Sequence, residues 1–131
     1  MSDQAAGLRA WQRQRDRWPL LVLGEPRRGA LESLLSALNE RSGRRWAPVT
    51  LAEAPRAAPG HALLWIETRP VDATLDYRWL KRMAVDVGPL PTLLHLESAA
   101  ISQARLDNLS VAARRFLGVE LSHDPGRWLA P

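Results

Sequence analysis

Hydrophobic positions along this chain fall into short continuous runs that alternate with longer runs spaced at three and four. Leu20, Leu21, Val22 and Leu23 predict a strand over 20–24, HALLWIE a strand over 61–67, and TLLHLE a strand over 92–97. Unbroken apolar runs of this length suit strands covered on both faces. Between them, Leu31, Leu34, Leu35 and Leu38 predict a helix over about 28–41, with Gly43 as its stop. Leu75, Trp79, Leu80 and Met83 predict a second helix over about 74–86, capped by Thr74 or Asp72. A third is expected over roughly 99–116, with Asp107, Asn108 and Ser110 as candidate points of division.

Weaker patterns complete the series. RWAPVTL reads as a strand over 45–51, and Pro48 argues for an edge position because it lacks an N–H for the ladder. EAPRAAPG, 53–60, reads as a loop, GVEL, 118–121, as a short last strand, and HDPG as a turn before Trp128. Residues 4–17 suit a lead helix carrying Leu8 and Trp11 and ended by Pro19. The alternation implies an α/β domain with a five-stranded, mainly parallel sheet of flavodoxin-like or Rossmann-like order, flanked by helices. Residues 1–18 form the lead helix segment and 19–131 one domain, with strands one, three and four inside the sheet.

Composition narrows the function classes. At 131 residues the chain can bury a core without staples, and with no cysteine it has no disulfide, thiol nucleophile or thiolate metal site. No apolar run approaches the roughly 20 residues needed to cross a bilayer. The amino terminus lacks the apolar stretch of a secretory signal, so a cytoplasmic protein without membrane attachment is expected. Residues 1–45 carry nine Arg against five acids, an excess of +4 that equals the formal net charge of the whole chain. Arg9, Arg13, Arg15 and Arg17 surround Trp11 and Trp18, and six of the eight aromatic residues are Trp. Arg and Trp dominate interface hot spots, which makes Trp11, Arg13, Arg15 and Trp18 candidate partner-binding residues. The same interleaving suits a nucleic-acid backbone and its bases.

In open α/β sheets the site lies beyond the carboxyl ends of the strands. Those ends read Gly24-Glu25, Glu67-Thr68, Glu97-Ser98-Ala99 and Ser122-His123-Asp124. Gly24 and Gly29 have the G-x-x-x-x-G spacing of a phosphate-binding loop, but Ala30 and Leu31 stand where Lys and Ser or Thr are needed. Such a loop keeps its shape and loses its charge clamp and its Mg²⁺ hydroxyl. Gly24, Arg27, Arg28 and Gly29 remain candidates for holding an anion or nucleotide through backbone N–H groups. His61, His95 and His123 lack the paired spacing of a metal site, and no metal or other cofactor is expected.

Two family resemblances arise from these residues. The order and spacing of the strand ends resemble a response-regulator receiver domain over roughly 19–125. That resemblance implies an acidic region at Glu25, a phosphoacceptor position at Glu67 and the Thr/Ser-Ala pair at Ser98-Ala99. The chain departs from it in having one carboxylate after strand one, Glu at the acceptor and no Lys after strand five, which implies a pseudo-receiver that takes no phosphate. VLGEPRRG…SLLSAL resembles the first motif of dynamin-like P-loop GTPases at Gly24, Glu25, Arg28, Gly29, Leu34, Leu35, Ala37 and Leu38. Glu67-Thr68-Arg69-Pro70 stands where that family has Asp-Thr-Pro-Gly, and the chain carries no Asn-Lys-x-Asp. Both resemblances imply a Rossmann-like shell with a defunct site, and the receiver resemblance places that vestigial strand-end site at Glu25, Glu67 and Ser98. The function expected is a non-catalytic regulatory or scaffolding domain whose partner is another protein or a second copy of the chain. The competing readings are a nucleotide- or anion-binding module without hydrolysis and a basic nucleic-acid-binding accessory protein.

Overall fold

The computed structural model describes residues 17–68 and 74–129. The expected lead helix, with Trp11, Arg13 and Arg15, therefore lies outside the described residues, as do Arg69, Pro70 and Asp72. The elements run β1 (Arg17–Leu23), α1 (Arg28–Ser42), β2 (Arg45–Val49), α2 (Ala54–Ala57), β3 (His61–Ile66), α3 (Leu75–Asp86), β4 (Thr92–Leu96), α4 (Gln103–Ala112), β5 (Leu121–Ser122) and α5 (Pro125–Leu129). All five strands are parallel in the order β2-β1-β3-β4-β5, so the flavodoxin-like α/β fold stands and β2 is an edge strand.

Two apolar layers sandwich the sheet, and strand alternation assigns residues to them. Leu21, Leu23, Leu64, Ile66 and Leu94 pack with Leu80 and Met83 of α3 and Leu106 and Leu109 of α4. Leu20, Leu63, Leu93 and Trp46 pack with Leu35 and Leu38 of α1 and Trp128 of α5. Central strand β3 is buried from Ala62 through Ile66. Its continuous apolar run is what a strand covered on both faces requires.

Several boundaries differ from expectation for identifiable reasons. β1 begins at Arg17 rather than 20, because Arg17 and Trp18 pair in register with Arg45 and Trp46. Trp18 is thus a strand residue, not the end of a lead helix. Pro19 is tolerated there because β3 joins β1 only from Leu20 onward, so no β3 donor or acceptor is missing at its level. The 53–60 segment contains the one-turn α2, which buries Ala54. α4 begins at Gln103, where the Ser102 side chain accepts from the Arg105 N–H, and it is not divided at Asp107 or Asn108. It ends in a π-helical turn, Ala113–Leu117, closed by Gly118 at φ 67°. Gly118 is therefore a helix stop, and β5 forms later than expected, at Leu121–Ser122.

The two glycines of the G-x-x-x-x-G spacing have different structural roles. Gly24 turns the chain out of β1 at φ 96°, and a Cβ there would lie 2.8 Å from the Trp65 carbonyl oxygen. Gly29 is in the first turn of α1 with open space around it. Gly24→Ala is expected to destabilise the fold by about 2 kcal/mol or more, through both positive φ and the clash. Gly29→Ala should instead stabilise it by about 0.5 kcal/mol. Urea unfolding of both variants checks the pair, and equal effects would contradict this assignment.

Candidate functional site

At the carboxyl end of the sheet, Arg27, Glu67, Thr68 and Glu97 line an open depression of about 530 Å³. Arg27 arrives as the residue before α1, Glu67 and Thr68 follow β3, and Glu97 follows β4. The Thr68 N–H donates to Glu97 Oε2 at 2.8 Å, joining the β3 and β4 ends. That bond, with the Arg27 charge adding to it, holds the Glu97 carboxyl below its ordinary range.

The other strand-end residues do not join this group. Glu25 is exposed and lies outside the lining. Ser98 Oγ accepts from the Ala100 N–H at 3.1 Å, a turn-forming bond. Arg28 pairs loosely with Glu32 along α1 at 4.0 Å, with both side chains exposed. The connection expected to wrap an anion is short, Gly24–Arg27, because Gly29 is already helical. Ser122, His123 and Asp124 fall elsewhere, since β5 ends level with Leu93 while β4 continues to Leu96. Asp124 Oδ1 accepts from the Gly126 N–H at 2.9 Å and meets Arg41 at 3.6 Å. That carboxylate starts α5 rather than serving His123. Among the described residues, no group of three or more acids and histidines is placed to hold a metal ion.

Glu97 stood among the strand-end residues without an assigned role, and the Asp76–Arg105 pair was not singled out by the sequence. Arg105 Nη2 and Nε donate to Asp76 Oδ2 at 2.7 and 3.1 Å, and Nη1 donates to the Glu67 carbonyl at 2.8 Å. One side chain of α4 therefore fixes α3 and the end of β3 together. The available signal was Asp76 itself, four residues before Leu80 and seven before Met83 on the buried stripe of α3. An acid on such a stripe needs a partner, although spacing does not say which one.

The amino-terminal end of the sheet holds an aromatic stack. Trp18 is the second residue of β1, Trp46 the second of β2 and His61 the first of β3, with Trp128 of α5 packed against Trp46 and His61. Ring centroids lie 6.3 Å apart for Trp18–Trp46, 5.1 Å for Trp46–Trp128 and 5.0 Å for His61–Trp128. The buried indoles are satisfied: Trp46 Nε1 donates to Ser42 Oγ at 3.2 Å and Trp128 Nε1 to the Pro91 carbonyl at 3.0 Å. Trp18 is 42 % exposed, and the Arg44 guanidinium lies 4.1 Å from its ring centroid. Burial lowers the His61 pKa and the Arg44 charge lowers it further, against a raising bond with the Trp128 backbone. His95, 4.7 Å from Trp65 between ring centroids, is lowered by burial. Of the sequence-predicted partner residues, Trp18 alone lies among the described residues, and it stands at this end, away from Glu67.

No protein-family model, curated protein or solved structure matches the chain. Among the described residues, no helix is long and apolar enough to cross a membrane.

Asp76→Ala or Arg105→Ala is expected to destabilise the protein by about 3 kcal/mol, because each strands the other charge in a largely buried position. Glu120→Ala, which breaks the exposed Arg114 pair, should cost less than about 1 kcal/mol. Urea midpoints rank the three, and a Glu120 effect as large as the Asp76 effect would refute the ranking.

His61 and His95 have lowered folded-state pKa values, so the unfolded chain takes up protons first as pH falls. Their stabilising contribution is full above the unfolded value of about 6.5 and declines as pH drops below it. The thermal midpoint should fall between about pH 7.5 and 5.5. A His61→Gln/His95→Gln variant that keeps the wild-type slope would exclude this origin.

Proposed function

We propose that the chain is a non-catalytic interaction domain that binds another protein through the aromatic corner at the amino-terminal end of its sheet. One observation carries this reading: Trp18 stays 42 % exposed on a stack whose other tryptophans, Trp46 and Trp128, are buried. A half-exposed indole held by its neighbours loses little conformational freedom on contact, as interface anchors do. Arg44 over its face adds the second residue type that dominates such anchors.

The strand-end resemblance to receiver domains supports a regulatory or scaffolding use, and it does so by analogy of fold alone. Phosphoryl transfer needs a positioned metal and a charge clamp. Around Arg27, the corresponding depression combines a single guanidinium with two carboxylates, of which Glu97 already accepts the Thr68 N–H. In this reading the depression is part of the scaffold. The rigid sheet presents its partner surface at the other end.

Affinity capture with the full chain, from the cell that makes it, tests the reading. Trp18→Ala is expected to lose the wild-type protein partners while keeping the wild-type unfolding midpoint to within about 1 kcal/mol. Mg²⁺-GTP, Mg²⁺-ATP and acetyl phosphate should show no turnover. Partners retained by the folded variant, or turnover abolished by Glu67→Gln, would overturn the proposal.

A further inference from the structure

We propose that Arg17 and Arg45 on one face of the paired starts of β1 and β2, with Arg44 over Trp18 on the other, form a docking corner for a carboxylate-rich segment of the partner protein. This rests on the interaction reading and adds the chemistry of the partner. The β1–β2 register sets Arg17 beside Arg45, at the spacing of neighbouring strands, about 4.8 Å. Both side chains are exposed, and neither is paired with an acid among the described residues. Like charges side by side on a sheet are destabilising, so the pair lacks a reason in the fold. Carboxylates from outside would relieve that repulsion.

Alternation places Trp18 on the opposite face from Arg17, so the corner wraps around the start of both strands. The Arg44 guanidinium lies over the Trp18 ring, 4.1 Å from its centroid. A stacked guanidinium keeps the edge of its fork for in-plane, bidentate bonding to a carboxylate. Pro19 and Ala47, the next pair in register on the same face as the arginine pair, are half-buried and offer apolar contact. Only the one-turn α2 occupies the connection from β2 to β3, so no long helix of that crossover shields the corner. β2 is an edge, but Pro48 lacks a ladder donor, which favours side-chain docking over addition of a strand.

Among the described residues the cations of this corner are few and close together, which favours protein carboxylates over a nucleic-acid backbone. Nucleic-acid surfaces carry cations along a track that follows successive phosphates. Here the next cation toward α1, Arg41, is engaged by Asp124 at 3.6 Å. An arginine pair on one face and an arginine-covered indole on the other match a short acidic peptide with a single apolar side chain.

The test uses the full ¹⁵N-labelled chain and two probes: a synthetic Glu/Asp-rich peptide bearing one Leu, and a single-stranded oligothymidylate of matched charge. The peptide should shift the Trp18 indole N–H and the Nε resonances of Arg17, Arg44 and Arg45. Its affinity should fall as salt rises from about 50 to 300 mM. Arg17→Gln/Arg45→Gln should weaken it at least about tenfold without lowering the unfolding midpoint, which relief of the like-charge contact should hold or raise. Shifts centred elsewhere, unchanged peptide affinity in the folded double variant, or tighter binding of the oligothymidylate would overturn the inference. Failure of the peptide together with partner loss in Trp18→Ala sinks this inference alone. Partners retained by Trp18→Ala sink the interaction reading itself.

Discussion

Two-sided burial of β3 is the constraint from which the rest of the structure follows. Ala62 to Ile66 have no face to give to water, so strands must lie on both sides of β3 and helices above and below it. Fully burying one leucine side chain contributes about 1.5–3 kcal/mol, and Leu63 and Leu64 face opposite layers. Parallel neighbours then require crossovers long enough to lay helices on the sheet. The chain meets that requirement with α1 on one face and α3 and α4 on the other. The β2–β3 crossover makes do with α2, whose single turn still buries Ala54 among the same apolar side chains.

A parallel sheet built this way has two unlike ends, and this chain finishes them with different chemistry. At the carboxyl end the connections are polar and tied by specific bonds: Thr68 to Glu97, and Arg105 to both Asp76 and the Glu67 carbonyl. Those bonds hold the loops of the depression to the helices beneath. At the amino end Trp18, Trp46 and His61, within the first two residues of their strands, join Trp128 in a stack of rings instead of hydrogen-bonding across a rim. Trp18 is the outermost ring, because Trp46 also packs against Trp128 and His61, and the Arg44 guanidinium lies over the Trp18 ring.

The sequence made most of the architecture legible, since continuous apolar runs and helical spacing are local signals. The buried strands, the α1 stop at Gly43 and the edge position implied by Pro48 all rest on one or two residues with a fixed physical meaning. The strand-end site was legible only as a line of residues. Glu67 does reach the depression, but its companions Arg27, Thr68 and Glu97 come from three separate connections. Pairings such as Asp76 with Arg105 depend on how two helices settle against each other, which no spacing within one helix reports. Trp18 was read as helical because arginines and tryptophans of the first segment continue up to it. What decided its conformation was Trp46, a residue on another strand.

That displacement of Trp18 from helix to strand changes what its neighbouring arginines mean. On a solvated helix, Arg17 would be one of several cations free to spread apart through long side chains. In β1 it is fixed beside Arg45, with the backbone ladder setting the separation. A helix face tolerates such charge because solvent screens it and the side chains diverge. A sheet register gives less freedom, because the ladder fixes how far apart the two arginines start. The register that extends β1 to cover Trp46 also brings the arginines together, and the packing of Trp46 and the closeness of Arg17 to Arg45 are therefore two consequences of one strand pairing.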